Sequence, residues 1–200
     1  MKIKSILLRS AVFILPGITF MICYNLRMDA QRFEPHIHTM PGGKVLVARI
    51  KGDPDITMDT ARLTLYSAGR KLKLSPSYMG ARHLEWDQRD TTPEQHWDVY
   101  YSRVVPETAI GLADIKDTAE VRIFYERREK TEIAEILHVG RYDHIPESLE
   151  KLRNFVNKNE YRLNGFYEEV YQVFESIESN PNKYETLLRY QVVKHDKTSR

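Results

Sequence analysis

The chain has 200 residues, 42% of them hydrophobic and 29% charged, with a formal net charge of +2 at pH 7. That describes one ordinary folded domain plus an appendage, large enough to bury its own core, and the mild charge argues against a nucleic-acid binder. The single cysteine, Cys23, lies in the N-terminal apolar run, so the folded part has no disulfide, no thiol nucleophile and no thiolate metal site.

Residues 1–29 read as a signal-anchor. Lys2, Lys4 and Arg9 precede Ser10–Leu26, 17 residues without a charge, and Arg27, Asp29 and Arg32 follow. A helix of that length spans roughly 25 Å, the short end of what crosses a bilayer. Met21, Ile22, Tyr24 and Leu26 stand where a cleavage site needs small residues. An uncleaved single-pass anchor is therefore preferred over a cleaved signal or a buried helix. The basic residues ahead of residues 10–26 outweigh Arg27 and Arg32, which keeps the amino terminus cytoplasmic. The domain is then expected on the extracytoplasmic side of the membrane, the periplasmic side in a bacterium.

Residues 30–43 read as a tether, broken by Pro35, Pro41 and Gly42-Gly43. Within it, His36-x-His38 has a metal-ligand spacing but no third ligand nearby in sequence, so no metal site is expected. Lys44–Lys51 is a predicted strand. Met58, Ala61, Leu65, Ala68 and Leu72 then recur at three-four spacing, which predicts an amphipathic helix ended by Ser75-Pro76. Tyr78–Trp86 and Trp97–Val105 are predicted strands, joined by the polar Asp87–Gln95 connection. Residues 106–131 form a weakly patterned connector that regains strand character over Glu120–Arg127. Glu132–Val139 is the next strand. Pro146 suits a first helical turn, and Ile145, Leu149, Leu152, Phe155 and Val156 make one apolar stripe, with Asn159 as a stop. Strands at Phe166–Phe174 and Glu185–Val193 complete the domain, and the charged tail 194–200 is expected to be disordered.

These elements repeat. Set against each other without a gap, residues 44–105 and 132–193 bring Gly52 onto Gly140 and Tyr78 onto Phe166, 88 residues apart, and Trp97-Asp98-Val99-Tyr100 onto Glu185-Thr186-Leu187-Leu188. Two copies of a strand–helix–strand–strand unit predict a pseudo-twofold α+β domain with a groove along the join, a natural ligand site.

The wording of the second unit points further. Leu137-His138-Val139-Gly140-Arg141-Tyr142, then Asn164-Gly165 leading into Glu169-Val170-Tyr171, then Asn180-Pro181 and Thr186, resemble the GyrI-like family, the effector-binding domains of AraC-type regulators. Gly80, Asp87, Thr92-Pro93 and Trp97-Asp98 resemble the matching half. The resemblance covers about Lys44 to Val193. It implies tandem βαββ units, helices on one face of the sheet and a ligand cleft on the other. Members bind amphipathic or cationic small molecules or protein partners such as gyrase, and a subset resembles hydrolases. Many carry a carboxylate directly after the threonine of the last strand, where this chain has Leu187, and Gln191 stands where a proline is common.

Glu169 and Glu185 are the remaining candidates for a pocket acid, and by family position Trp97, Tyr142 and Tyr171 are the expected aromatic walls. Strand alternation, with Leu187 and Val99 treated as counterparts, adds Tyr101, Arg103, Arg189 and Gln191 to the same surface. The expected ligand-binding set is thus Trp97, Val99, Tyr101, Tyr142, Glu169, Tyr171, Leu187 and Arg189. An apolar floor rimmed by arginine suits a neutral or anionic amphiphile. The expectation is a membrane-anchored binding domain for an amphipathic small molecule, sensor or carrier, with no cofactor, no catalytic residue and no nucleic-acid partner. A tethered protein-interaction adaptor is the alternative, and a hydrolase ranks below both because Leu187 removes the best acid. The 43 residues before Lys44 leave no room for a helix-turn-helix.

Overall fold

Gly52 and Gly140 turn the chain out of two hydrophobic strands in the same way. Their φ angles, +127° and +132°, fall where side-chain-bearing residues rarely go. Gly52 donates its N–H to the Trp97 carbonyl and Gly140 to that of Tyr184, both at 3.0 Å. The computed structural model describes residues 33–74, 78–83, 93, 96–111 and 121–195. The apolar run 10–26, the tail from residue 196 and most of the Asp87–Gln95 connection lie outside these. Among the described residues no helix is long and apolar enough to cross a membrane.

The elements in order are β1 (His36–Met40), β2 (Gly43–Lys51), α1 (Pro54–Lys71), β3 (Met79–His83), β4 (Asp98–Val104), β5 (Val121–Arg128), β6 (Thr131–Val139), α2 (Ile145–Lys158), β7 (Tyr161–Val173) and β8 (Glu185–Lys194). The strands form one sheet in the order β1-β6-β8-β7-β3-β4-β2-β5, every neighbouring pair antiparallel. Each βαββ unit contributes three adjacent strands, and β3 and β7 join the units at the centre. The fold is thus mixed α+β, with eight strands and two helices of more than one turn among the described residues.

Two apolar clusters hold the helices to the sheet. Ala61, Leu65 and Ala68 of α1 pack on Leu46, Ala48, Ile50, Val99 and Tyr101. Ile145, Leu149, Leu152 and Val156 of α2 pack on Ala134, Ile136, Leu188 and Tyr190. The four buried side chains of α2 contribute about 2 kcal/mol each. Its ends follow the sequence signals, with proline in the first turn and Asn159 as C-cap. His138 bonds Ser148 Oγ and the Arg141 carbonyl through its two ring nitrogens, tying β6 to the entry of α2.

Three sequence expectations change. Residues 36–40 of the predicted tether are strand β1, because its breakers bracket a stretch long enough to satisfy the free edge of β6. β7 begins at Tyr161, ahead of the predicted Phe166, because Asn164-Gly165 is a bulge within the strand, with Gly165 at φ +114°. The third change bears on the site. Ile50 pairs with Val99, yet His138, 88 residues after Ile50, pairs with Thr186, which is 87 residues after Val99. The second unit is one residue shorter before its last strand. Thr186, not Leu187, is therefore the counterpart of Val99, and Tyr184 that of Trp97. A one-residue slip in a strand moves every side chain to the opposite face.

Candidate ligand site

The register lines residues up across the sheet. On the face that carries the helices, one row reads Ala48–Tyr101–Ala81–Glu169–Leu188–Ile136. On the open face a neighbouring row reads Arg49–Tyr100–Arg82–Glu168–Arg189–Glu135–His36. The expected set is therefore divided. Val99, Tyr101, Glu169 and Tyr171 share the helix face, and Trp97 packs into the same cluster. Leu187 and Arg189 belong to the open face, as does Gln191, whose amide donates to Thr131 Oγ1 at 3.0 Å. Arg103, expected beside Arg189, is buried under α1 on the other side. Gly69 makes room for it, since a Cβ there would come within 2.2 Å of the guanidinium.

Ala81 and Glu169 are counterparts, 88 residues apart, and they pair with each other, so the pseudo-twofold axis passes through them. On one side of that axis stands a methyl group, on the other a carboxylate that is 6% exposed. Tyr167 donates its hydroxyl to Glu169 Oε1 at 2.9 Å and Tyr171 donates to Oε2 at 2.8 Å. Tyr167 packs on Tyr190 with ring centroids 5.1 Å apart. Tyr101 is fully buried, with its hydroxyl 3.5 Å from Thr57 Oγ1 of α1. Burial first, and then the Glu169 charge, push the Tyr171 phenol well above its ordinary pKa, so it remains a donor.

Tyr142 closes the junction. It stands in the single turn of 3-10 helix at Tyr142–His144, between Gly140 and α2, and it packs against both apolar clusters. Its ring meets Tyr171 edge-on at 6.1 Å and Tyr184 at 5.3 Å, and its hydroxyl donates to Glu175 at 3.1 Å. Burial, with Glu175 next, raises its pKa. Tyr184 and Tyr167 were absent from the sequence-derived set. A gap-free repeat alignment sets Glu185 opposite Trp97 and so passes over Tyr184. Glu185 itself lies at the start of β8 on the open face, away from this junction.

The open face carries a lattice of charges and rings. Arg82 donates to both oxygens of Glu126 and lies over the rings of Tyr100 and Phe166. Arg128 donates to Glu168 at 2.8 Å and to Ser102 at 2.7 Å, and Arg189 donates to Glu135. At the end of this lattice, β1 places His36 and His38 beside Glu135.

No family model and no curated protein matches the chain. Solved structures do. The C-terminal domain of EcmrR superposes with a TM-score of 0.66 at 16% identity, covering 82% of this chain and 99% of that one. An uncharacterized conserved protein from Listeria innocua gives 0.66 at 20% identity, covering 81% of this chain and 93% of that one. A hydrolase from Listeria innocua gives 0.64 at 18%, with the same coverage. What is shared at such identities is the fold, and it agrees with the fold that the GyrI-like resemblance implies. The protein has an α+β domain of the type seen in the EcmrR C-terminal domain.

Proposed function

We propose that the domain binds an amphipathic small molecule bearing a positive charge, at the junction over β3 and β7. One observation carries the reading: a buried carboxylate, Glu169, lies on the pseudo-twofold axis among tyrosine rings. An organic cation is drawn to a carboxylate while its apolar body packs on the surrounding aromatic faces. Trp97, Val99, Tyr101, Tyr142, Glu169 and Tyr171 form the proposed site. Leu187 and Arg189 are left out of it, and with them goes the case for an anionic ligand. Tyr142, the partly exposed ring held by a short turn, is the proposed entrance. Binding is favoured over turnover because both oxygens of Glu169, the candidate base, already accept from the Tyr167 and Tyr171 hydroxyls. The apolar run 10–26 would hold this sensor or carrier at a membrane, with the domain on the extracytoplasmic side.

The test is a calorimetric titration of the full chain with tetraphenylphosphonium and with uncharged triphenylphosphine oxide. The cation is expected to bind at least about 10-fold more tightly, a difference of about 1.4 kcal/mol. Glu169→Gln is expected to abolish that preference while retaining the neutral compound. Equal affinity of the wild-type chain for both compounds refutes the reading.

A further inference from the structure

The pairing of β1 with β6 builds a second site, on the open face of the sheet. His36 and His38 are two apart on a strand and share a face, and His36 pairs across with Glu135. Their rings stack with centroids 5.2 Å apart. His36 Nε2 lies 3.7 Å from Glu135 Oε1, and one ligand atom from each of the three residues lies within 4.8 Å of the others. Two ligands held at about 2.0–2.2 Å in a tetrahedron are roughly 3.3–3.6 Å apart, so the three need to close by only about an ångström.

Two further features suit a cation. His38 Nδ1 is shielded from solvent and has no hydrogen-bond partner, a cost that a metal bond removes. Glu135 is gripped by Arg189 through Oε2, so Oε1 is the oxygen turned toward His36. A hydrogen-bonded neighbour of this kind orients a ligating carboxylate, although the guanidinium charge lowers affinity.

We propose that His36, His38 and Glu135 form a site for one divalent transition-metal ion. Two imidazoles and a carboxylate suit zinc, cobalt or nickel, whereas magnesium and calcium call for oxygen ligands throughout. Water completes the coordination. The bound ion ties β1, an edge strand with one hydrogen-bonded neighbour, onto β6. It thereby fixes the point where the chain from the amino terminus joins the sheet.

The experiment is titration of the untagged full chain with cobalt(II) alone, followed by visible absorption and equilibrium dialysis. One equivalent is expected to bind with the intense bands of a low-coordinate site, to be displaced by one equivalent of zinc(II), and to resist millimolar magnesium. His36→Ala and His38→Ala are each expected to weaken binding at least about 10-fold. His144→Ala, an exposed histidine on another element, is expected to change nothing. Zinc should raise the melting temperature of the wild-type chain and not that of the His36→Ala/His38→Ala variant, which also shows that the variant is folded. A missing one-equivalent site, or a site that survives in the double variant, overturns the proposal.

Discussion

Replacing Arg128 with methionine should destabilise the domain by about 3 kcal/mol. Glu168 is 2% exposed, and it has two guanidinium neighbours. Arg128 Nη1 donates to Oε1 at 2.8 Å, and Arg189 Nη1 lies 3.7 Å from Oε2. At an effective dielectric of about 20, unit charges 2.8 Å apart attract by roughly 6 kcal/mol. Desolvation of both ions cancels much of that in the intact pair, but removing one partner leaves the other ion buried, at a cost of about 3–5 kcal/mol. The low end applies because Arg189 remains, while Ser102 loses the donor it accepts from at 2.7 Å. For a domain of this size the loss is worth about 6–12 °C in melting temperature. Urea denaturation of the wild type, Arg128→Met, Glu168→Leu and the double variant measures the terms. The double variant, in which neither ion of the pair is left behind, should recover most of the loss. An Arg128→Met cost under about 1 kcal/mol, or a double variant less stable than Arg128→Met, would show that the lattice is not the buried charge system described here.

Gly140→Ala should cost about 1–3 kcal/mol from its φ of +132°, whereas Gly43→Ala, where a Cβ meets nothing within 4 Å, should stay within about 0.5 kcal/mol; denaturation midpoints of both decide this. Gly165→Ala combines a φ of +114° with a contact of 2.3 Å to Gln191 Oε1 and should cost as much as Gly140→Ala or more, by the same measurement. Alkali tests the tyrosine cluster. Burial raises the folded pKa of Tyr171 and of Tyr142 above the ordinary value of 10.0, so the stability each contributes is present below pH 10 and lost above it. The loss is about 1.4 kcal/mol per pH unit for each group, and Tyr171→Phe should reduce the slope measured between pH 10 and 11. Tyr142→Ala should weaken cation binding while leaving zinc binding unchanged, which calorimetry with each ligand reports separately.

Much of this architecture is legible in local pattern. The stripe Ala61, Leu65, Ala68 and the stripe Ile145, Leu149, Leu152, Val156 mark both helices, because a helix buries every third or fourth side chain wherever it packs. Gly52 and Gly140 mark the turn that defines each unit, since few other residues take their backbone angles. Alternation within one strand puts Val99 and Tyr101 on a common face, and in another strand Glu169 and Tyr171. Alternation fails between strands, where one missing residue before β8 leaves no mark in a comparison of such low identity. That slip exchanged Thr186 for Leu187 and Tyr184 for Glu185.

The sequence by itself determined two βαββ units, their glycine turns and the apolar stripes, all set by forces acting within a few residues. Only the tertiary structure decided which face each strand residue takes, since hydrogen-bond register between distant strands sets it. Register put Glu169 on the axis under the helices and sent Arg189 to the far side. It also gave His36 and His38 the carboxylate of Glu135, nearly 100 residues away along the chain and next to them only because β1 pairs with β6.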